Sequence, residues 1–342
     1  MQSPAKKLSK GKILVYLEDK LNKFKVPKTQ VFKVKDWKRD KNKILDTIKE
    51  YFLNKNNCHN LAIRSSASNE DSSQNSNAGV YESFLNIKTT NKKKIKDAIN
   101  KIIKSYKRKK ININNSEIII QQMILNTNLS GVIFTHNLNN GAPYYVINYD
   151  DISGLTNTVT SGTSQYSNRS LYVFRDNIKE LKSPRFKKII NSVKELEKII
   201  GYEYLDIEFA CDKNLNIYLL QVRQIVGPKK WKKNLRNKFL ISLNQIKSKL
   251  NKSFRNENKL SGKTNIFGQM PDWNPAEMIG KTPRLLSFSL YEKLITSHIW
   301  ADARKMMGYK KLNNKKLMYS FAGQPYIDVR LSLNSFLPEN LP

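Results

Sequence analysis

The chain has 342 residues, 39% of them hydrophobic, enough for two or three domains with cores of their own. Its formal net charge of +33 favours anionic ligands, nucleotides and nucleic acid among them, yet no standard nucleic-acid module or basic-aromatic repeat is visible, and the lysines accompany Asn and Ile throughout, as compositional drift also produces. No apolar run reaches the ~18 residues of a membrane span, so no membrane partner is expected; Cys58 and Cys211, far apart, suit a reducing, cytoplasmic compartment, and the scattered His59, His136 and His298 argue against a zinc site.

The opening MQSPAKKLSKGK lacks the apolar stretch of a secretory signal. Residues 8–24, LSKGKILVYLEDKLNKF, predict a helix ending near Val26-Pro27. A strand, TQVFKV, follows, then helical spacing in KNKILDTIKEYFLN. HNLAIRSS reads as a short buried strand running into a polar loop, residues 65–77, that closes at Ala78-Gly79. YESFLNI predicts a strand and residues 92–106 a helix; the basic run KRKKININNS marks a subdomain boundary. EIIIQQMI, SGVIFTHN, YYVINYD and SLYVFR predict four more strands, with the glycine-punctuated loop SGLTNTVTSG between the last two, and residues 184–200 a helix.

Residues 204–225, YLDIEFACDKNLNIYLLQVRQI, read as a hairpin ending before Gly227-Pro228. Strand side chains alternate faces, so Asp206 and Glu208 share one side, as do Leu219, Gln221 and Arg223. A two-residue turn at Lys213-Asn214 pairs Asp206 with Gln221 and Glu208 with Leu219, which puts acids, amide and guanidinium on one face. A slip of one residue separates them. Such a face is either salt-bridged, Arg223 with Asp206 or Glu208, or a site. Two carboxylates at i and i+2 suit a magnesium ion shared with phosphates, and an adjacent arginine holds a phosphate oxygen. Arg64, leaving its strand into a loop of small hydroxyl residues, is a second phosphate candidate; a plain serine loop reads the same, and no P-loop pattern is present.

These segments resemble a known family. IRSSASNEDS…NAGVYESFLNI is similar to the signature of the ATP-binding domain of phosphoenolpyruvate synthase and pyruvate phosphate dikinase. EIIIQQMILNTNLSGVIFTHN resembles its following strands, LDIEFACDKNLNIYLLQVRQI its last hairpin, and KGKILVYLEDKLNKFKVPKTQVF its start. The resemblance covers residues ~8 to 226 in order. It implies an α+β, ATP-grasp fold of two subdomains, residues 1–110 and 111–228, binding ATP and Mg2+ between them. It implies Lys12 and Arg64 on the ATP phosphates, Asp206 and Glu208 on magnesium, Gln221 and Arg223 positioning the nucleotide or the transferred phosphoryl, and the backbone at Gln122, Met123 and Ile124 against the base; Arg64 and Arg223 are the catalytic candidates. The sequence departs from the pattern at Lys10, where the family has glycine, at Thr156 and Asn157, which replace a glycine and an acid, and at Gln224, which replaces a proline.

Residues 229–263 form a Lys/Asn-rich helical connector, and residues 264–342 a mainly helical extension in which WNPAEMIGKTPRLLSFSLYEKLIT resembles the segment after the ATP domain of synthase-like enzymes. GQPYIDVRLSLNSFLPENL is similar to a further run of that group. Trp273, Tyr291 and Trp300 are expected as buried aromatics, and Asp328 and Arg330 as a salt-bridged strand pair rather than a site. None of the three histidines sits in a phosphohistidine motif. The resemblance therefore implies a phosphohistidine swivel domain in trans or on a continuation of the chain, and a pyruvate-like acceptor. A stand-alone small-molecule kinase and a degenerate ATP- or nucleic-acid-binding scaffold are the alternatives.

Overall fold

The computed structural model describes residues 8–67, 83–108, 111–156, 159, 169–225, 233–253, 260–269, 271–312 and 315–340. The chain divides into two units, residues 1–231 and 232–342.

The first unit opens with α1 (Lys10–Leu17), shorter than the helix read from the sequence; the chain leaves it through buried Leu21 into a two-residue strand, β1 (Phe24–Lys25). Next come β2 (Thr29–Lys33), α2 (Val34–Arg39), α3 (Lys41–Ile48, running on into a π-helical stretch, Lys49–Lys55), β3 (Asn60–Ser66), β4 (Ser83–Lys88), α4 (Lys92–Arg108) and β5 (Glu117–Gln122). The four strands pair antiparallel in the order β2-β5-β3-β4. In α4 Ile95, Ala98, Ile99, Ile102 and Tyr106 recur every three or four residues, so one stripe is buried while the lysines stay in water. Asn91 caps it, its Oδ1 accepting from the Lys94 N–H at 2.9 Å. This stripe packs with Trp37, Ile48 and Phe52 on Leu61, Ile63, Ile118 and Ile120 of the sheet. Strand β5 is interior to this sheet, and its three consecutive isoleucines, Ile118, Ile119 and Ile120, are buried on both faces.

The second sheet follows: β6 (Thr127–Phe134), β7 (Tyr144–Asp150), β8 (Arg169–Phe174), α5 (Pro184–Ile200), β9 (Leu205–Asp212) and β10 (Ile217–Gln224). Its order is β1-β10-β9-β6-β7-β8, with β1 parallel to β10 and the other pairs antiparallel. Helix α5 starts on Pro184, whose missing N–H costs nothing at a first turn, and stops at Gly201, where φ of 69° suits glycine. Its buried side, with Ile13, Leu14 and Leu17 of α1, covers Ile207, Phe209, Leu219 and Val222. One face of β9 and β10 is thereby committed to a core, and the opposite face is left for the site.

The second unit contains α6 (Lys233–Ser253), β11 (Phe267–Gly268), α7 (Pro275–Met278), α8 (Leu285–Tyr291), α9 (Ile299–Met306), β12 (Met318–Phe321), β13 (Gln324–Asp328) and α10 (Val329–Asn334). Besides the expected helices it has a three-stranded sheet, β11-β13-β12, which the short strands hid in the sequence. Trp300 and Tyr291 are buried and Trp273 half-buried. The Asp328–Arg330 strand pair does not form. The strand ends at Asp328, which caps α10 by accepting from the Leu331 N–H at 3.0 Å, while Arg330, already helical, donates to the carbonyls of Leu260 and Ser261 and to Asn265.

Candidate functional site

The two sheets of the first unit meet across the free face of β9 and β10. In the four-stranded sheet the alternation that buries Leu61 and Ile63 turns Asn60, Ala62 and Arg64 the other way, and in β5 it does the same for Ile119 and Gln121. Gln121 Nε2 donates to the Leu220 carbonyl at 3.4 Å, and Arg64 Nη1 donates to Glu208 Oε2 at 3.0 Å. Helix α1 lies against both sheets; a Cβ on Gly11 would stand 2.6 Å from Val31 Cγ2 and 2.8 Å from Ile119 Cγ1, so only glycine permits this approach.

The hairpin register differs from the sequence expectation. Asp206 pairs with Arg223, not Gln221, and Glu208 with Gln221, not Leu219. Two departures combine. The turn is longer than two residues, with Leu215 at φ 57° and the Asp212 carboxylate accepting the N–H groups of Asn214 and Asn216. A β-bulge at Leu220 then adds one residue to β10. The longer turn alone would reverse the faces; the bulge restores them. Leu219 goes to the core, opposite Phe209, while Gln221 and Arg223 return to the side of Asp206 and Glu208.

At this end the charges are interlocked. Arg223 Nε donates to Asp206 Oδ2 at 2.7 Å, and its Nη2 lies 2.6 Å from the same oxygen. Burial pushes the Asp206 carboxyl above its usual range, with Arg223 and Lys10 pulling against it. Lys12, by contrast, pairs with Glu117 at 2.6 Å and is half exposed; it does not join the cluster. Of the two lysines, Lys10 is the one felt by Asp206. Tyr106 OH accepts from the Ser66 N–H and donates to the Glu117 carbonyl, pinning the strand from which the serine-rich loop departs. That loop from residue 68 through Ala78-Gly79 lies outside the described residues, as do Asn157 and Gly227-Pro228. Two polar atoms of the cluster, Arg64 Nε and Gln221 Oε1, are buried without a hydrogen-bond partner among the described residues. An unpaired buried polar atom costs ~1–3 kcal/mol.

The other end of the same face opens into a cleft of about 290 Å³, with Asn60, Gln122, Met123, Ile124, Asp212 and Tyr218 in its walls. Ile124, Ala210 and Leu220 form a small apolar cluster with Tyr218 packed on it. The Gln122 and Met123 N–H groups are committed to the carbonyls of Lys28 and Asn60. Asp212 accepts from Tyr218 OH and Asn216; burial works to raise its carboxyl, but these hydrogen bonds outweigh it and hold the group below the usual range. Glu208 and Asp212 are four residues apart on one strand, about 13 Å at ~3.3 Å per residue. Charged cluster and cleft thus lie in line along β9, about as far apart as the ends of an extended nucleoside triphosphate.

Sequence reasoning put Arg64, Asp206, Glu208, Gln221 and Arg223 together, and the structure brings them to one place. Gln122, Met123 and Ile124 line the cleft at the far end. Missed were Lys10, Asn60, Gln121 and Tyr218; alternation from Arg64 back to Asn60 was the signal available for one of them. For a magnesium ion the donor set is two carboxylates, and among the described residues no group of three His, Cys, Asp or Glu could hold a metal. That fits an ion held by one or two carboxylates and completed by phosphate oxygens. Among the described residues no helix is long and apolar enough to cross a membrane.

Residues 29–176 match the family model for the pyruvate phosphate dikinase AMP/ATP-binding domain, so the resemblance read from the motifs is borne out there. No curated protein matches the chain. Among solved structures it is similar to D-alanyl-alanine synthetase A from Vibrio cholerae (13% identity, 64% of this chain and 56% of that one, TM-score 0.36). It is also similar to the D-alanine-D-alanine ligase from Coxiella burnetii (11%, 65% and 49%, TM-score 0.34) and to PH1788 from Pyrococcus horikoshii (15%, 65% and 92%, TM-score 0.37). The match spans about half the length of the first two.

Proposed function

We propose that the first unit is an ATP-grasp phosphotransferase module. It binds Mg-ATP between its two sheets and passes a phosphoryl group to a histidine on a separate swivel domain, and thence to pyruvate or a related acceptor. The match of residues 29–176 to an AMP/ATP-binding domain supports ATP as the ligand. The observation that carries the reading is the cluster itself: two carboxylates, two guanidiniums and an amide from both sheets, with Arg64 Nε and Gln221 Oε1 buried and unpaired.

Bound magnesium supplies charge neutralisation on the phosphates. The residues that would hold it are Asp206 and Glu208. Arg64 and Arg223, both already turned to this face, exchange a carboxylate partner for phosphate oxygens, which suits phosphoryl transfer, where positioning and charge neutralisation dominate. Lys12 reaches the phosphates only by leaving Glu117, Gln221 orients, and the segment Gln122, Met123, Ile124 bounds the base.

Titration of the protein with ATP, with and without magnesium, tests the reading. Binding requires the metal and collapses in Glu208→Ala and Arg223→Ala. Labelled ATP with an added phosphohistidine domain then reports the transfer: ADP marks loss of the γ phosphoryl, AMP that of the β. Label passing to a small molecule without that domain favours a stand-alone kinase. A second reading has its own observation, since both carboxylates are already neutralised by arginines. A non-catalytic basic scaffold predicts nucleic-acid affinity that falls steeply with salt and ignores both substitutions.

A further inference from the structure

Asn60 opens β3, lines the cleft and turns to the same side as Arg64. Its Oδ1 is buried and has no hydrogen-bond partner among the described residues. Several neighbouring polar groups are occupied. Gln122 Oε1 accepts from the Lys28 N–H at 3.4 Å, the Gln122 and Met123 N–H groups are bonded to carbonyls, and the Asp212 carboxylate organises its own turn. Ile124 and Tyr218, also in the cleft wall, pack with Ala210 and Leu220 into a small apolar surface, and Tyr218 is held by its hydrogen bond to Asp212.

We infer that Asn60 is the base-selecting residue of this site and makes it specific for adenine over guanine nucleotides. The inference rests on the Mg-ATP reading above. A flat ring against the apolar wall offers only its edge to the amide. The amide carries one acceptor and a donor pair. Adenine presents a donor, the 6-amino group, beside an acceptor, N7, so one amide satisfies both at once; guanine presents two acceptors there and leaves Oδ1 unpaired. The backbone of β3 fixes the residue, because the Asn60 carbonyl accepts from the Met123 N–H at 2.9 Å. Arg64, four residues on along the strand, belongs to the phosphate end, so one strand would read both ends of the nucleotide.

The test needs no variant to begin. Wild-type protein is titrated with magnesium and, in turn, ATP, GTP, 7-deaza-ATP (which lacks N7) and purine riboside triphosphate (which lacks the 6-amino group). ATP binds about 10- to 100-fold more tightly than GTP, and each edge deletion loses a substantial part of that advantage. In Asn60→Leu the ATP-to-GTP ratio falls to within about threefold of unity. Equal affinity for ATP and GTP, undiminished affinity for both edge-deleted analogues, or an unchanged ratio in a folded Asn60→Leu overturns the assignment while leaving the Mg-ATP reading standing. Failure of the wild type to bind any of the four triphosphates removes that reading and this one with it.

Discussion

Arg64 and Glu208 lie 144 residues apart in sequence and on different sheets, yet Arg64 Nη1 donates to Glu208 Oε2 at 3.0 Å. The pair is mostly out of solvent, at 12% and 20% exposure. It ties the two halves of the first unit together at the place where the free polar atoms collect. Each partner therefore carries two duties: the link between the sheets and, in the proposed function, a ligand contact.

Substitutions at this pair separate the two. Glu208→Ala leaves a guanidinium facing a gap and is expected to cost about 1–3 kcal/mol in urea unfolding, less than a fully buried pair because water reaches part of it. Glu208→Gln keeps a hydrogen-bond acceptor for Arg64 and costs under about 1 kcal/mol, yet abolishes the magnesium dependence of ATP binding. Retention of that dependence in Glu208→Gln would remove Glu208 from the metal site.

The bulge offers a second prediction. Deleting Leu220 takes out the extra residue and sends Gln221 and Arg223 toward the packed side of β10, where the core has no partner for a guanidinium. The deleted protein is expected not to fold cooperatively. Leu220→Ala keeps the backbone count, loses ~2–4 kcal/mol from the small apolar cluster, and still folds cooperatively. A folded, ATP-binding deletion variant would show that the bulge does not set the faces.

That bulge also marks where sequence reading stopped. Alternation along LDIEFACD was enough to put Asp206 and Glu208 together, and the apolar periods of α4 and α5 were enough to place both helices. The register was not legible, because a two-residue shift, one from the turn and one from the bulge, leaves no mark in composition: Leu215 at positive φ and the extra Leu220 are both ordinary leucines in a strand-like run. Similarly, Lys10 and Lys12 are chemically alike. Only the packing of α1 decides that Lys10 acts on Asp206 while Lys12 meets Glu117.

Gly11 is what permits that packing. A methyl group there meets Val31 Cγ2 at 2.6 Å and Ile119 Cγ1 at 2.8 Å, too close without displacement of strand or helix. Gly11→Ala gains helix propensity but forces α1 outward, for a net loss expected at about 1–3 kcal/mol. The same displacement carries Lys10 away from Asp206. Weaker Mg-ATP binding by Gly11→Ala, measured below its melting transition, accompanies the lower Tm; equal stability to wild type would show that α1 has room to spare.

His136 predicts a pH dependence separate from the site. It is 5% exposed and stacked on Tyr204 at 3.9 Å between ring centroids, with Nδ1 buried and unpaired. Burial and the nearby Arg175 lower its pKa to about 4, against a weaker opposing pull from the Glu203 backbone. Around it Arg175 also binds Glu197, which accepts from Tyr145 OH. In the fold the ring is therefore neutral at neutral pH, and in the unfolded chain it takes a proton near pH ~6.5. Between those values the unfolded state binds the extra proton, so stability is full above about pH 6.5 and falls as pH drops toward about 4. The gap corresponds to up to ~3 kcal/mol. His136→Phe keeps a flat ring against Tyr204 and removes the titration. Urea unfolding of both proteins from pH 7 to 4 is expected to show the wild type losing stability faster by roughly that amount, and parallel curves would place the imidazole in contact with water.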